Sequence, residues 1–313
     1  MSKPDKRGGL GFAFEKFGKL TVEDLLEEST EFLIPDLLVK NSITMWYSKP
    51  SQGKTWFTYA VAKKLMQCYA DMRHMYYCDF DNGKRQIKER NVHEEIMQNE
   101  EKFTYMHKGS VDATPQEFIE AINKEAFGQN LKDVVFIFDS TRDFVDNIHN
   151  DLQAKRFMQI MKNIREAGGT VILIHHTSKS GKVIDGSGEF TKSTDNAFEL
   201  VQTGKTPGKI HYLLKVTNDR DSVQECAFSV LLEKLELTEL DPVIGAMTQE
   251  EKEFVKNCTE VLAKHKAGLN QSQLLEKLGY KRDNKKARER LDKYVGIFYT
   301  RDASKKPYIY TVQ

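Results

Sequence analysis

The apolar run Ile43-Thr44-Met45-Trp46-Tyr47 leads directly into Ser48-Lys49-Pro50-Ser51-Gln52-Gly53-Lys54-Thr55, and a helix-favouring stretch, residues 56–69, follows. A strand, a tight loop and a helix in that order form the setting of a phosphate-binding loop. Backbone N–H groups of such a loop turn inward, and the following helix adds its positive end. Lys54 supplies a point charge for the outer phosphates, and the Thr55 hydroxyl is placed for Mg²⁺. Pro50, Ser51, Gln52, Gly53, Lys54, Thr55 and Trp56 are the candidate nucleotide contacts. Ser48 stands where such loops have their first glycine, and a positive φ there would strain it. The bland alternative is a surface turn that contains Gly-Lys-Thr.

The rest of the chain supports the first reading. Apolar segments at 43–47, 75–80, 134–138 and 170–175 alternate with amphipathic segments at 54–68, 84–98, 115–126 and 151–167, which predicts an α/β fold with a mainly parallel sheet flanked by helices. Gly168-Gly169 is a helix stop before the fourth strand. Two further strands, 210–216 and 226–231, are expected to extend the sheet. Residues 20–38 read as a short helix and a lead-in with Thr21 as N-cap, and residues 1–20 as a flexible N-terminal segment. The pattern breaks at Asp241-Pro242. The reading divides the chain into a core, 21–240, and a tail domain, 248–313. The tail reads as helices at 249–264, 270–278 and 283–293 and strands at 297–300 and 307–312. That is the order of a winged helix-turn-helix. Asn270 with Gln273 makes a capping box, and Gly279 ends that helix.

The chain has 313 residues and a formal net charge of +1, so no global field draws nucleic acid and any basic surface is local. Its four cysteines, Cys68, Cys78, Cys226 and Cys258, show no metal-ligand spacing and read as free thiols in a reducing compartment. No apolar run is long enough to span a bilayer, and the start lacks a signal-peptide core. A cytoplasmic protein is the expectation.

Three strand ends carry the chemistry. Val134-Val135-Phe136-Ile137-Phe138-Asp139 ends in a carboxylate placed to orient the water shell of Mg²⁺. Ser140 follows it, so the carboxylate that activates water comes from elsewhere. Met75-Tyr76-Tyr77-Cys78-Asp79-Phe80-Asp81 offers two, which strand alternation places on one face, with Asp81 farther toward the ligand edge and favoured over Asp79. His175-His176 ends the strand at 170–175, and His176 is the candidate γ-phosphate contact. Solvated rim residues are the plain alternative for each. The polar loop 178–188, with Lys179 and Lys182, is a candidate nucleic-acid contact.

Taken together, the phosphate loop, the acidic strand end, Phe-Ile-Phe-Asp-Ser, Ile-His-His-Thr-Ser-Lys, the Gly-Ser loop and Asp195-Asn196-Ala197 resemble the RecA-like ATPases of the plasmid RepA replicative helicase type, over roughly residues 25–235. The resemblance implies ATP and Mg²⁺ as cofactors, a ring of identical subunits with ATP between neighbours, and single-stranded DNA in the channel. It gives Lys54 and Thr55 the phosphate and metal roles, Asp139 the metal side, His176 the phosphate sensor, and Asp81 the place of a catalytic glutamate. It also implies a basic residue reaching the neighbour's nucleotide, for which Lys215 and Arg220 are candidates. The tail carries a surplus of about six positive charges, concentrated in Lys281, Arg282, Lys285, Lys286, Arg288, Arg290 and Lys293, with Lys305 and Lys306 in the wing. DNA is the expected partner of that helix and wing. The function expected is an ATP-driven DNA-translocating motor, a replicative-type helicase of a plasmid, phage or mobile element. The alternatives are a nucleotide-switched DNA-binding regulator and, more weakly, a scaffold with a vestigial ATPase.

Overall fold

The structure is a computed structural model that describes residues 22, 29–110, 112–126, 130–178, 181, 183–304 and 306–312. The N-terminal segment 1–20 and Thr21 therefore lie outside the described residues, as do Lys179, Lys182 and Lys305. A two-stranded hairpin, β1 (Phe32–Ile34) and β2 (Leu38–Val39), comes first. The core then runs β3 (Ile43–Ser48), α1 (Lys54–Cys68), β4 (His74–Asp79), α2 (Lys84–Glu89), α3 (Val92–Glu95), β5 (Phe103–His107), α4 (Pro115–Ala126), β6 (Val134–Asp139), α5 (Asp151–Glu166), β7 (Thr170–His176) and α6 (Glu189–Ser193). Next come β8 (Asn196–Thr206), β9 (Lys209–Asn218), β10 (Cys226–Leu231), β11 (Glu236–Leu240) and the short α7 (Pro242–Gly245). The chain ends with α8 (Gln249–Ala263), β12 (Leu269–Asn270), α9 (Gln271–Lys277), α10 (Lys285–Lys293), β13 (Tyr299–Asp302) and β14 (Ile309–Val312).

A nine-stranded sheet in the order β11-β10-β9-β8-β3-β7-β6-β4-β5 forms the centre. Strands β3 to β8 pair in parallel, and β9, β10 and β11 add by antiparallel pairing. The sheet is mostly parallel and covered by helices, as the alternation of apolar segments predicts. Strand period two sorts its side chains between the faces. On β3, Trp46 joins the cluster under α1 with Phe57, Tyr59 and Phe228, while Ile43 and Met45 join the opposite cluster with Phe138, Phe157 and Met158. Each large apolar side chain buried this way contributes about 1.5–3 kcal/mol.

Two long-range contacts fix the strand that feeds the loop. Asp195 Oδ2 accepts from the Ile43 backbone N–H at 2.9 Å, and its Oδ1 takes Arg165 Nη1 at 2.7 Å. Gly168 ends α5 at φ 88, and a Cβ there would sit 3.1 Å from the Lys132 backbone, so only glycine fits the turn into β7.

The tail has its own apolar cluster, with Phe254, Cys258, Leu262, Leu274, Leu291, Tyr294, Tyr299 and Tyr310 at its centre. Its three strands pair in the order β12-β14-β13. Capping boxes open α8 (Thr248 with Glu251) and α9 (Asn270 with Gln273), and Asn284 caps α10 by accepting from Ala287 N at 3.0 Å.

Several expectations are corrected. Residues 32–39, within the stretch read as a short helix and a lead-in, form a hairpin. The single helix expected at 84–98 is two short ones, because Asn91 takes φ 54 between them. β5, β8 and β11 were not expected. β8 is long but carries Glu199, Gln202, Gly204 and Lys205, which mask its strand pattern.

Candidate active site

The phosphate loop leaves β3 between its neighbours β7 and β8, with Ser48 paired to His176. Ser48 is the last strand residue and does not have positive φ; that conformation falls on Ser51 (φ 64) and Gly53 (φ 77). The serine in place of the first glycine is therefore unstrained. Gly53 begins α1, and its carbonyl accepts from Phe57 N at 3.1 Å and from the Tyr212 hydroxyl at 2.9 Å. A Cβ on Gly53 would lie 2.5 Å from Tyr212 Oη, so sterics and φ both demand glycine.

Lys54 is buried. Its Nζ lies 3.3 Å from Ser48 O and 3.3 Å from His176 Nδ1. Burial lowers its pKa, and the carboxylates of Asp139 and Asp81 work the other way. The Thr55 side chain lies near enough to Asp139 to favour its charged form, and Asp139 Oδ2 accepts from the Tyr77 hydroxyl at 3.0 Å. Burial, then repulsion from Asp79, raises the Asp139 pKa. A carboxyl held up in this way gains from a nearby cation. Among the described residues no cluster of three His, Cys, Asp or Glu side chains is arranged to hold a metal. A hydroxyl and one carboxylate beside a lysine suit Mg²⁺, which keeps waters and takes phosphate oxygens as its other ligands.

Strand alternation does not carry from Asp79 to Asp81, contrary to the expectation. β4 ends at Asp79, and the chain turns there. Asp79 is wholly buried and committed: its oxygens accept from the Tyr59 hydroxyl at 3.2 Å, from Asn82 Nδ2 at 3.0 and 3.1 Å, and from the backbone N–H groups of Asp81 and Asn82 at 3.1 and 2.9 Å. The Tyr105 hydroxyl is a further donor. Asp81 is exposed, on the loop that Asp79 holds. Asn82 Oδ1 in turn accepts from Arg90 Nη1 at 2.9 Å, and the Arg90 guanidinium lies 5.6 Å from the ring centre of Trp56. Gln52 Oε1 accepts from Gln202 N at 3.3 Å, tying the loop to β8.

The histidines divide. His175 is buried edge-on against Phe190, with ring centres 4.9 Å apart, and burial pushes its pKa down to about 3. His176 is half-buried and reaches Lys54; burial, then the lysine charge, hold it at about 4. Both are neutral at pH 7. Arg142, exposed on the 3₁₀ turn Thr141–Phe144 after β6, adds positive charge beside both. No sequence motif pointed to Arg142, Asn82, Arg90, Tyr212 or the tyrosines around Asp79. Their roles depend on contacts far apart in the chain.

The two basic candidates for a neighbour's site also differ. Arg220 is tied within its own chain, to Lys192 O at 2.9 Å and Asp195 Oδ1 at 3.5 Å. Lys215 is exposed on β9, without an ion pair among the described residues. In the tail, Arg290 pairs with Glu250 at 2.5 Å and Lys293 with Glu251 at 2.7 Å. Arg288 Nε donates to Arg282 O at 2.9 Å, and Lys285 lies 3.9 Å from Glu289. Lys286 is exposed. No helix among the described residues is long and apolar enough to cross a membrane.

No curated protein matches the chain. Among solved structures, the flagellar accessory protein FlaH from Methanocaldococcus jannaschii is similar at 13% identity, over 66% of this chain and 91% of that one, with a TM-score of 0.46. A family profile described as an AAA domain matches residues 21–182, which span the phosphate loop, Asp81, Asp139 and both histidines. The chain belongs to the AAA domain family.

Proposed function

We propose that this protein is a Mg²⁺-dependent ATPase that works as a DNA-translocating motor of the replicative helicase kind, in a ring of identical subunits, with a core at 21–240 and a winged-helix tail at 248–313. The observation that carries the ATPase reading is the convergence of Lys54, Thr55, Asp139, His176 and the Asp81 loop at the carboxyl edge of β3, β4, β6 and β7. Ligand clefts of open α/β sheets lie at that edge.

In this reading the loop residues 50–56 cradle the triphosphate, and Lys54 neutralises its outer oxygens. Thr55 and, through water, Asp139 hold Mg²⁺, which when bound offsets charge on the transferred phosphoryl group. Asp81 orients the attacking water and accepts its proton. Neutral His176 donates a hydrogen bond where the γ-phosphate ends, exchanging it for the contact with Lys54. A cation from the adjoining subunit completes the site; both candidates are exposed, and Lys215, unpaired among the described residues, is favoured over the internally tied Arg220. DNA contacts fall on the 178–188 loop with Lys179 and Lys182, and on Lys285, Lys286, Arg288 and Lys305 of the tail.

Mg²⁺-dependent ATP turnover and strand displacement, each measured with Lys54→Ala as control, test the proposal. Turnover without unwinding would leave the ATPase and remove the motor. The second reading, a nucleotide-switched regulator, is favoured by the short Asp81 in a glutamate's place and by the helix-and-hairpin tail; it predicts duplex-sequence binding without unwinding.

A further inference from the structure

The tail presents three tyrosines on or beside its hairpin, and only two serve the core. Tyr299 is buried and donates to Leu291 O at 2.9 Å; Tyr310 is buried and donates to Asp292 Oδ1 at 3.1 Å. Tyr308 is 41% exposed. It lines a cleft of about 390 Å³ with Asn270, Gln271, Ser272, Lys306 and Pro307. The Arg301 guanidinium lies 5.0 Å from the centre of its ring and is itself anchored to Asp292 at 2.9 Å. Arg301 is not among the residues that line the cleft. The result is a flat aromatic platform, backed by a fixed cation and open toward a polar cleft. Lys306 stands at the rim, without an ion pair among the described residues.

We propose that this cleft binds an unpaired nucleobase of a single-stranded nucleic acid. Tyr308 stacks on the base, Lys306 receives the adjoining phosphate, and the amide and hydroxyl groups of Gln271 and Ser272 meet the base edge. Stacking needs an exposed base face, which a duplex hides within its own stack. A phosphate contact alone would need neither the ring nor its cationic backing. This site is distinct from basic helix α10 and does not depend on ATP hydrolysis.

The test uses the full chain without nucleotide. Tyr308→Trp places an indole in the cleft, read against the unsubstituted protein, whose Trp46 is buried and whose Trp56 lies at the phosphate loop. Oligothymidylate is expected to quench the added fluorescence saturably. Lys306→Ala in that background should weaken the response several-fold and make its salt dependence shallower by about one phosphate contact. By anisotropy of labelled oligothymidylate, Tyr308→Ala should weaken binding about tenfold and Tyr308→Phe should retain it. The proposal is overturned if oligothymidylate leaves the indole unquenched. Equal quenching by a blunt duplex, or by an abasic strand of the same length, also overturns it.

Discussion

Lys54 Nζ and His176 Nδ1 lie 3.3 Å apart, joining the phosphate loop to the tip of β7 across 122 residues of chain. Because His176 is held at about 4, the neutral ring accepts this hydrogen bond throughout the physiological range. His176→Ala is expected to leave ATP affinity within about threefold and to lower kcat by on the order of a hundredfold, the loss typical of one transition-state donor. Single-turnover and equilibrium-binding measurements separate the two. An unchanged kcat would exclude His176 from the reaction.

Asp79 is a positioning residue for Asp81. Four donor groups converge on it besides Tyr105, making five hydrogen bonds, and two of the donors belong to the backbone of the Asp81 loop. Asp79→Asn keeps the shape and loses the charge-assisted bonds. It should cost about 1–3 kcal/mol of stability in a denaturant titration and lower kcat without changing nucleotide affinity. Asp81→Asn should lower kcat alone. A stability loss with kcat intact would limit Asp79 to folding.

His175 sets an acid limit on the core. Its folded pKa, about 3, lies below the usual histidine value, so unfolding binds a proton at intermediate pH. The stability this neutral ring contributes is complete above pH about 6.5 and declines as pH falls toward 3. Its ring is packed on Phe190, so His175→Phe should flatten the dependence of denaturation midpoint on pH across that window. An equally steep profile in the variant would assign the acid sensitivity to other groups.

Glu250 and Glu251 hold two of the tail's cations. Glu251 is opposed by burial but kept down at about 2 by Lys293 and the Thr248 cap. Its contribution is therefore complete above the ordinary glutamate range and fades as pH falls toward 2. Glu250→Gln should release Arg290, raise DNA affinity about two- to fivefold at low salt, and steepen the salt slope by about one contact. An unchanged salt slope would show that Arg290 does not face DNA.

The parts of the site that were legible in the sequence are those built from consecutive residues. The phosphate loop, Asp139 at its strand end and His176 each follow an apolar run whose direction already places them at one sheet edge. The tail was legible through its caps, since Asn270, Gln273 and Gly279 mark helix ends by local chemistry. Strand alternation failed at Asp79 because the strand stops there and the side chain turns toward Tyr59 and Asn82. β8 was missed because its polar residues fit a ribbon that is only partly covered. The break at Asn91 carries no proline or glycine, and asparagine tolerates that backbone without announcing it.

The hydroxyl that Tyr212 places on Gly53 O gives β9 a mechanical part. Three residues further along the same extended strand, Lys215 is exposed. In the proposed ring, a strand that met a neighbour at Lys215 and the first carbonyl of α1 at Tyr212 would work as a lever. Pulling on its outer arm would tilt the cradle that grips the triphosphate, so the grip of each subunit would register the posture of the next.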